Sequence, residues 1–351
     1  MSDDDAILLE RHGGLGIVTL NRPRALNTLS FAMCGRFDAA LAAWAGDAAL
    51  RAVVVRGAGE RAFCAGGDVV AIYQARAAPG NRGVEADFFR AEYTLVYRVH
   101  RFSKPYVALM DGVTMGGGAG IAVNGSYRVA TERTVFAMPE VHIGLFPDVG
   151  ATRFLNRCPG RIGLYLALTG RSIGAADALY CGFATHFVPR DRVAVLLERM
   201  REAPAIEAAL AALAGDPGEA ALPPLREAID RCFAGDSVEA IAAALAHEPG
   251  DWAQEAREAM ARASPLSLKI TFRQLHLGAA DVEAALALEY RLTQHVLAGH
   301  DFYEGIRALL VDKDRKPCWQ HASPKAVIDA EVAGYFAPIG ARELRFDPVS
   351  P

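Results

Sequence analysis

The chain has 351 residues, 52% of them hydrophobic, and a formal net charge of −4. That is ample for one large core with an appended region, and the weak negative charge argues against a nucleic-acid or anionic-membrane partner. No apolar run reaches the ~18 residues of a membrane helix, and the acidic start MSDDDAILLE lacks the basic and apolar regions of a secretion signal, so a cytoplasmic protein is expected.

In chain order, GIVTLNRP (Gly16 to Pro23) reads as a strand stopped by Pro23. LSFAMCGRFDAALAAWAGD reads as a helix capped by Ser30, with Met33, Phe37, Leu41 and Trp44 at helical spacing. RAVVVRGAG is a buried strand ending in a glycine turn. With the following residues it forms G-x-G-x-x-A (Gly57 to Ala62), a pattern similar to the dinucleotide fingerprint. The fingerprint needs a helix to open there, and Phe63-Cys64-Ala65-Gly66-Gly67 is a poor helix start, so this reading is rejected. EADFFRAEYTLVYRVHRF is amphipathic, and Glu92 falls on its apolar stripe of Phe88, Leu95, Val96 and Val99. A carboxylate on a buried face is costly unless paired or used; the structural alternative is an ion pair with Arg90 or Arg98. KPYVALMDGV and YRVATERTVFAMPE supply further strands, and strands alternating with helices favour an α/β fold.

RIGLYLALT has helical spacing and ends at Gly170. This makes Ser172 of GRSIG a loop or cap residue rather than the serine of a nucleophile elbow. After about Pro189 the texture turns to Ala- and Leu-rich helices, among them SVEAIAAALAHE and one long helical stretch, DVEAALALEYRLTQHVLAGHDFYEGIRALLV. The expected organisation is an α/β core over residues 1–190 and a helical region over 191–351, with no internal repeat visible. The six cysteines are scattered without C-x-x-C and the nine histidines form no H-x-x-x-H pair, so reduced thiols and no bound metal are expected.

Two glycine clusters, FCAGGD ending at Gly67 and Asp68 and DGVTMGGGAG containing Gly117, precede apparent helices. Each leaves bare backbone N–H groups that suit an oxyanion or a thioester carbonyl; alone, each reads better as a tight turn or close packing. FAMPEVHIGLFPDVGATRFL holds Glu140 and Asp148, each directly after a proline and among apolar residues. Singly, either reads as a turn or cap acid. Three acids in apolar settings with two glycine donors upstream read as an acid/base set facing an oxyanion hole.

The motifs VTLNRPRALNTLS, RAFCAGGDV, KPYVALMDGVTMGGGAG and FAMPEVHIGLFPDVGATRFL, in this order, resemble the crotonase (enoyl-CoA hydratase/isomerase) superfamily over about residues 7–190. FFRAEY, LALTGRSI, GFATHFV and the C-terminal LEYRLTQHVLAGHDFYEGIRALLVDKDRKPCW extend the likeness, over nearly the whole chain, to its branch of 3-hydroxyisobutyryl-CoA hydrolases. The resemblance implies a spiral of ββα repeats with a C-terminal helical region. It also implies an acyl-CoA substrate, with CoA as part of that substrate and no further cofactor. The N–H groups of Gly67 and Gly117 would form the oxyanion hole. Arg24, Ala25 and Leu26, with Ala65, Gly67, Asp68 and Val69, would hold CoA. Glu140 would be the principal acid/base or nucleophile, Asp148 its partner, and Glu92 the contact to the substrate hydroxyl. Relatives commonly assemble through their C-terminal helices, so a homo-oligomer is compatible with the sequence, as is a longer helical region that covers that surface instead. One departure bears on the activity. Hydratases of this superfamily carry a glutamate just after the triple glycine, and this chain has Gly120 there, whereas Asp148 stands where hydratases usually carry glycine. That favours thioester hydrolysis over a hydratase, while an isomerase, which manages with a single glutamate, stays open; the acids present argue against a non-catalytic CoA-binding protein, and the helical spacing before Gly170 argues against a thioesterase built on Ser172.

Overall fold

The computed structural model describes residues 5–77, 84–202 and 205–346; the acidic Met1 to Asp4 lie outside them. Up to Phe187 the described residues hold nine strands: β1 (Ile7–His12), β2 (Leu15–Leu20), β3 (Ala52–Gly57), β4 (Ala62–Cys64), β5 (Tyr106–Met110), β6 (Val113–Met115), β7 (Tyr127–Ala130), β8 (Val135–Ala137) and β9 (His186–Phe187). They form a six-stranded sheet ordered β1-β2-β3-β5-β7-β9 and a three-stranded sheet ordered β4-β6-β8. Every pairing is parallel except the β1–β2 hairpin. The pairs β3–β4, β5–β6 and β7–β8 each give one strand to the large sheet and the next to the small one. Each turn of the chain therefore advances both sheets by one strand, a spiral of repeated units that share no visible sequence repeat.

Helices follow the strand pairs: α1 (Phe31–Ala45), α2 (Val69–Ala77), α3 (Val84–Arg101), α4 (Gly117–Val123), α5 (Ala151–Phe154), α6 (Ile162–Thr169) and α7 (Ala175–Tyr180). Ser30 caps α1 by accepting from the Met33 N–H, and the four apolar positions read from the spacing are all buried. Gly57 and Gly59 turn β3 into β4, a strand and not the helix a dinucleotide fingerprint would open. Gly170 ends α6 in the left-handed region at φ +62, and Ser172 beyond it is exposed.

After β9 the chain is helical: α8 (Val193–Glu202), α9 (Ile206–Leu213), α10 (Arg226–Cys232), α11 (Val238–His247), α12 (Asp251–Arg262), α13 (Pro265–Leu277), α14 (Val282–Val296), α15 (Asp301–Ile306) and α16 (Asp329–Tyr335). The long helical stretch expected from Asp281 onward is broken. It stops at Val296, turns through Leu297 to His300, restarts as α15 and runs into a π turn at Arg307–Val311. Gly299 lies in that break, where helix propensity is lowest.

β3 reads as a continuous apolar run because both of its faces are covered. Val53 and Val55 point into the main core, while Val54 points into a second core against Leu196, Met200 and Leu210 of α8 and α9. The main core joins Phe37 and Phe63 of the spiral to Phe233, Tyr290 and Phe302 of the helical region. Five cysteines are buried; only Cys318 is exposed, and all six are free thiols.

Candidate active site

A cleft of about 920 Å³ opens between the two sheets' C-terminal ends and the helical region. One wall is knitted from two segments far apart in sequence. The turn Pro23–Ala25 is followed by Leu26 and Asn27, both left-handed, at φ +51 and +58. The buried Asn27 side chain donates to the carbonyls of Ala58 (2.9 Å) and Ala62 (2.8 Å) and accepts from the Arg22 N–H, which supports that conformation. The wall closes through three bonds: Ala65 N–H to the Leu26 carbonyl, Leu29 N–H to that of Gly66 and Asp68 N–H to that of Leu29. Asp68 also caps α2 by accepting from the Ala71 N–H and pairs with Arg22 at 2.7 Å. Arg24, Ala25, Leu26, Ala65, Gly67, Asp68 and Val69 all line the cleft.

Deeper in, Gly67 and Gly117 face each other. A Cβ built on Gly117 would lie 3.3 Å from the Gly67 nitrogen and 2.0 Å from Oε1 of Glu92. Glycine is needed here because the Glu92 carboxylate already occupies the space a side chain would take. Among the described residues neither the Gly67 nor the Gly117 N–H donates within the chain. Gly117 opens α4, so its amide also carries the positive end of the helix dipole.

All three acids read from the sequence line this cleft, and all are buried: Glu92 2% exposed, Glu140 4% and Asp148 3%. Glu92 projects from α3. Neither Arg90 nor Arg98 pairs with it: Arg90 bonds Tyr290 and the Arg342 carbonyl, and Arg98 pairs with Asp38. Glu140 starts a short 3-10 turn, Glu140–Ile143, placed by Pro139. Asp148 accepts from the Tyr93 hydroxyl at 2.6 Å. One oxygen each of Glu92 and Glu140 is buried with no partner, as expected of groups awaiting a ligand. Among the described residues no cation forms an ion pair with any of the three. Burial, then the Asp148 charge, raises Glu140 and Glu92 well above the usual carboxylate range. Burial pushes Asp148 up to about 7, with the Tyr93 hydrogen bond pulling against it. Burial and mutual repulsion thus keep the three carboxyls from ionising together, and the set retains protons at neutral pH.

Several lining residues escaped the sequence reading. Leu309, Leu310 and Lys313, from the π turn and the loop after it, close the far side of the cleft. Lys313, with Arg24 and Arg61, puts exposed positive charge at its mouth. Tyr93 and the fully buried Glu289 were missed as well. Ser172 does not line the cleft.

Comparison with known proteins places this geometry. The family described as enoyl-CoA hydratase/isomerase matches residues 15–336. The chain belongs to the enoyl-CoA hydratase/isomerase family. Curated members similar to it include the mitochondrial 3-hydroxyisobutyryl-CoA hydrolases of Rattus norvegicus (42% identical, covering 97% of this chain and 91% of the relative), Gallus gallus (43%; 97% and 90%) and Homo sapiens (40%; 97% and 91%). Two solved structures superpose closely. A carnitinyl-CoA dehydratase from Mycobacterium thermoresistibile is 42% identical with TM-score 0.92, covering 98% of this chain and 99% of that one. An enoyl-CoA hydratase from Rhodobacter sphaeroides 2.4.1 is 42% identical with TM-score 0.91, covering 97% and 100%. The crotonase fold expected from the resemblance, a mixed α/β spiral with a C-terminal helical region, is the one observed. The expectation of a cytoplasmic protein is overturned, because the curated hydrolases are named mitochondrial. The acidic stretch from which the expectation was drawn does not discriminate among compartments.

Proposed function

We propose that the protein hydrolyses 3-hydroxyisobutyryl-CoA, breaking the acyl C–S bond with one water to give 3-hydroxyisobutyrate and free CoA, a step that fits valine catabolism. The similarity to curated hydrolases over 97% of the chain supports this reading. The observation that carries it lies at Gly120. A Cβ there would sit 2.5 Å from Cβ of Val149, so Val149 fills the space into which a glutamate of α4 would have to emerge. Hydration of a C=C bond uses a second carboxylate from that helix. Here the neighbouring backbone supplies Asp148 instead.

In this reading the thioester carbonyl oxygen accepts from the N–H groups of Gly67 and Gly117. Losing one such donor typically costs about 3 kcal/mol of transition-state stabilisation. With a proton of the pair held on Asp148, the Glu140 carboxylate either attacks the carbonyl, giving a mixed anhydride that the water then cleaves, or takes a proton from a water that attacks the carbonyl. Asp148 returns a proton to the departing thiolate. Glu92, with its unpartnered oxygen, accepts from the substrate hydroxyl. Arg24, Arg61 and Lys313 at the mouth suit the phosphates of CoA, and Ala25, Leu26, Ala65, Asp68 and Val69 line the path between.

The two solved relatives described as dehydratase and hydratase support a second reading, addition of water to an enoyl-CoA. One paired assay separates the two. The protein is given 3-hydroxyisobutyryl-CoA with free thiol followed by a disulfide dye, and crotonyl-CoA with loss of enoyl-thioester absorbance followed. Thiol release without enoyl loss is expected; enoyl loss without thiol release would replace hydrolysis by hydration.

A further inference from the structure

The segment that carries Asp148 holds a conformation its sequence does not favour. Val149 has φ +56, in the left-handed region, where a β-branched residue is an outlier, and Gly150 follows at φ +93. Backbone of this kind persists only where its surroundings over-determine it. Two helices of the C-terminal region do so. Glu289 of α14, fully buried, accepts from the Gly150 N–H with Oε2 (2.7 Å), and with Oε1 from the Thr152 N–H (2.8 Å) and the Thr152 hydroxyl (2.7 Å). Gln274 of α13, also fully buried, donates to the Pro147 carbonyl (2.7 Å) and to the Thr152 hydroxyl oxygen (2.8 Å). From the spiral side, Asn124 donates to the Val149 carbonyl at 3.1 Å and Tyr93 to Asp148. Residues 147 to 150, and Thr152, are each tied by a side chain from outside the segment.

We propose that Glu289, assisted by Gln274, is a positioning residue: it holds Val149 left-handed and so sets Asp148 beside Glu140. Glu289 does not line the cleft and touches no substrate, so it acts through the segment it grips. The inference deepens the hydrolase reading and rests on it. Three donors converge on a carboxylate, which accepts from all of them and has no donor of its own. Replacing it by an amide of equal size turns one of those contacts into donor facing donor, which in a buried site costs the full desolvation of the groups left unpaired. Released from Glu289, Val149 relaxes toward negative φ, the following peptide rotates and Asp148 moves. A misplacement of about 1 Å at a reacting group lowers rate on the order of 100-fold.

The test is Glu289→Gln in the full chain, with two independent readouts. The first is kinetic, on 3-hydroxyisobutyryl-CoA. The expected result is a kcat at least about 20-fold lower, a KM within about threefold of the parent, and a displaced pKa in the pH–rate profile, because that profile belongs to the Glu140–Asp148 pair. A kcat within about threefold of the parent overturns the proposal. So does a loss shared by kcat, KM and melting temperature with an unchanged pH profile, which is the mark of a merely structural residue. The second readout is a crystal structure of the variant, which needs no activity. Val149 leaving the left-handed region, with the Tyr93–Asp148 bond lengthened, supports the proposal; Val149 still near φ +56 with that bond intact overturns it. If the parent releases no thiol, the hydrolase reading fails, while the crystallographic arm still decides whether Glu289 grips the loop.

Discussion

At the scale of single residues, the cleft holds three buried acids that pair with no cation among the described residues, and each has a distinct expected effect. Glu140→Gln keeps size and burial but removes the group that accepts a proton; turnover should fall at least about 100-fold in the thiol-release assay with the circular-dichroism spectrum unchanged. Glu92→Ala should raise KM for 3-hydroxyacyl-CoA more than for the unsubstituted acyl-CoA, since only the former has a hydroxyl to lose; equal effects would remove Glu92 from that contact. Gly117→Ala places a methyl where Oε1 of Glu92 lies, so it should lower kcat/KM at least about tenfold by displacing both the acid and the amide. Glu92 was legible in the sequence because it interrupts an apolar stripe. Glu289 carries the same signal, falling among Val282, Ala285, Leu286, Leu292 and Val296, all buried on α14. It went unread because an acid in a helix usually faces solvent. Tyr93 had no signal at all: a buried tyrosine is ordinary, and its bond to Asp148 spans 55 residues.

At the scale of elements, local rules carried far. The Ser30 cap, the apolar face of α1, the Gly170 stop and the strand ending in a glycine turn at Gly57 follow from short-range chemistry and are as the residues imply. The continuous helix from Asp281 is the miss, and its cause is tertiary. The break at Leu297 to His300 lets α15 turn onto the short turn that bears Glu140. Gly144 ends that turn at φ +70, and a Cβ there would lie 2.2 Å from the Asp301 backbone. Ser264 ties the same corner, with its N–H donating to the Val141 carbonyl and its hydroxyl to Asp301. Gly144→Ala therefore combines a left-handed backbone with overlap. It should destabilise the protein by at least about 1–2 kcal/mol in urea titration and lower activity through the displaced Glu140 turn. Full activity with an unchanged midpoint would mean that α15 yields freely.

At the scale of the whole molecule, the buried acids link stability to pH. Asp148 stands at about 7 against a usual 3.8. The folded chain keeps a proton there that the unfolded chain has already released, so stability contributed by this group is complete below about pH 4 and declines as pH rises through about 7. Melting temperature should fall across that window from this cause, and Asp148→Asn should flatten the slope; an equal slope would place the titration elsewhere.

The cleft is lined at one end by Arg22 to Thr28 and at the other by Leu309 to Lys313. A ribosome making this chain therefore releases nine-tenths of it before the pocket has its last wall. The spiral shares its main core with the later helices, and the nascent protein has no closed place for an acyl-CoA until the π turn is out. Catalysis in this architecture begins only near the end of synthesis, and a chain cut short before that turn would lack the last wall of its site.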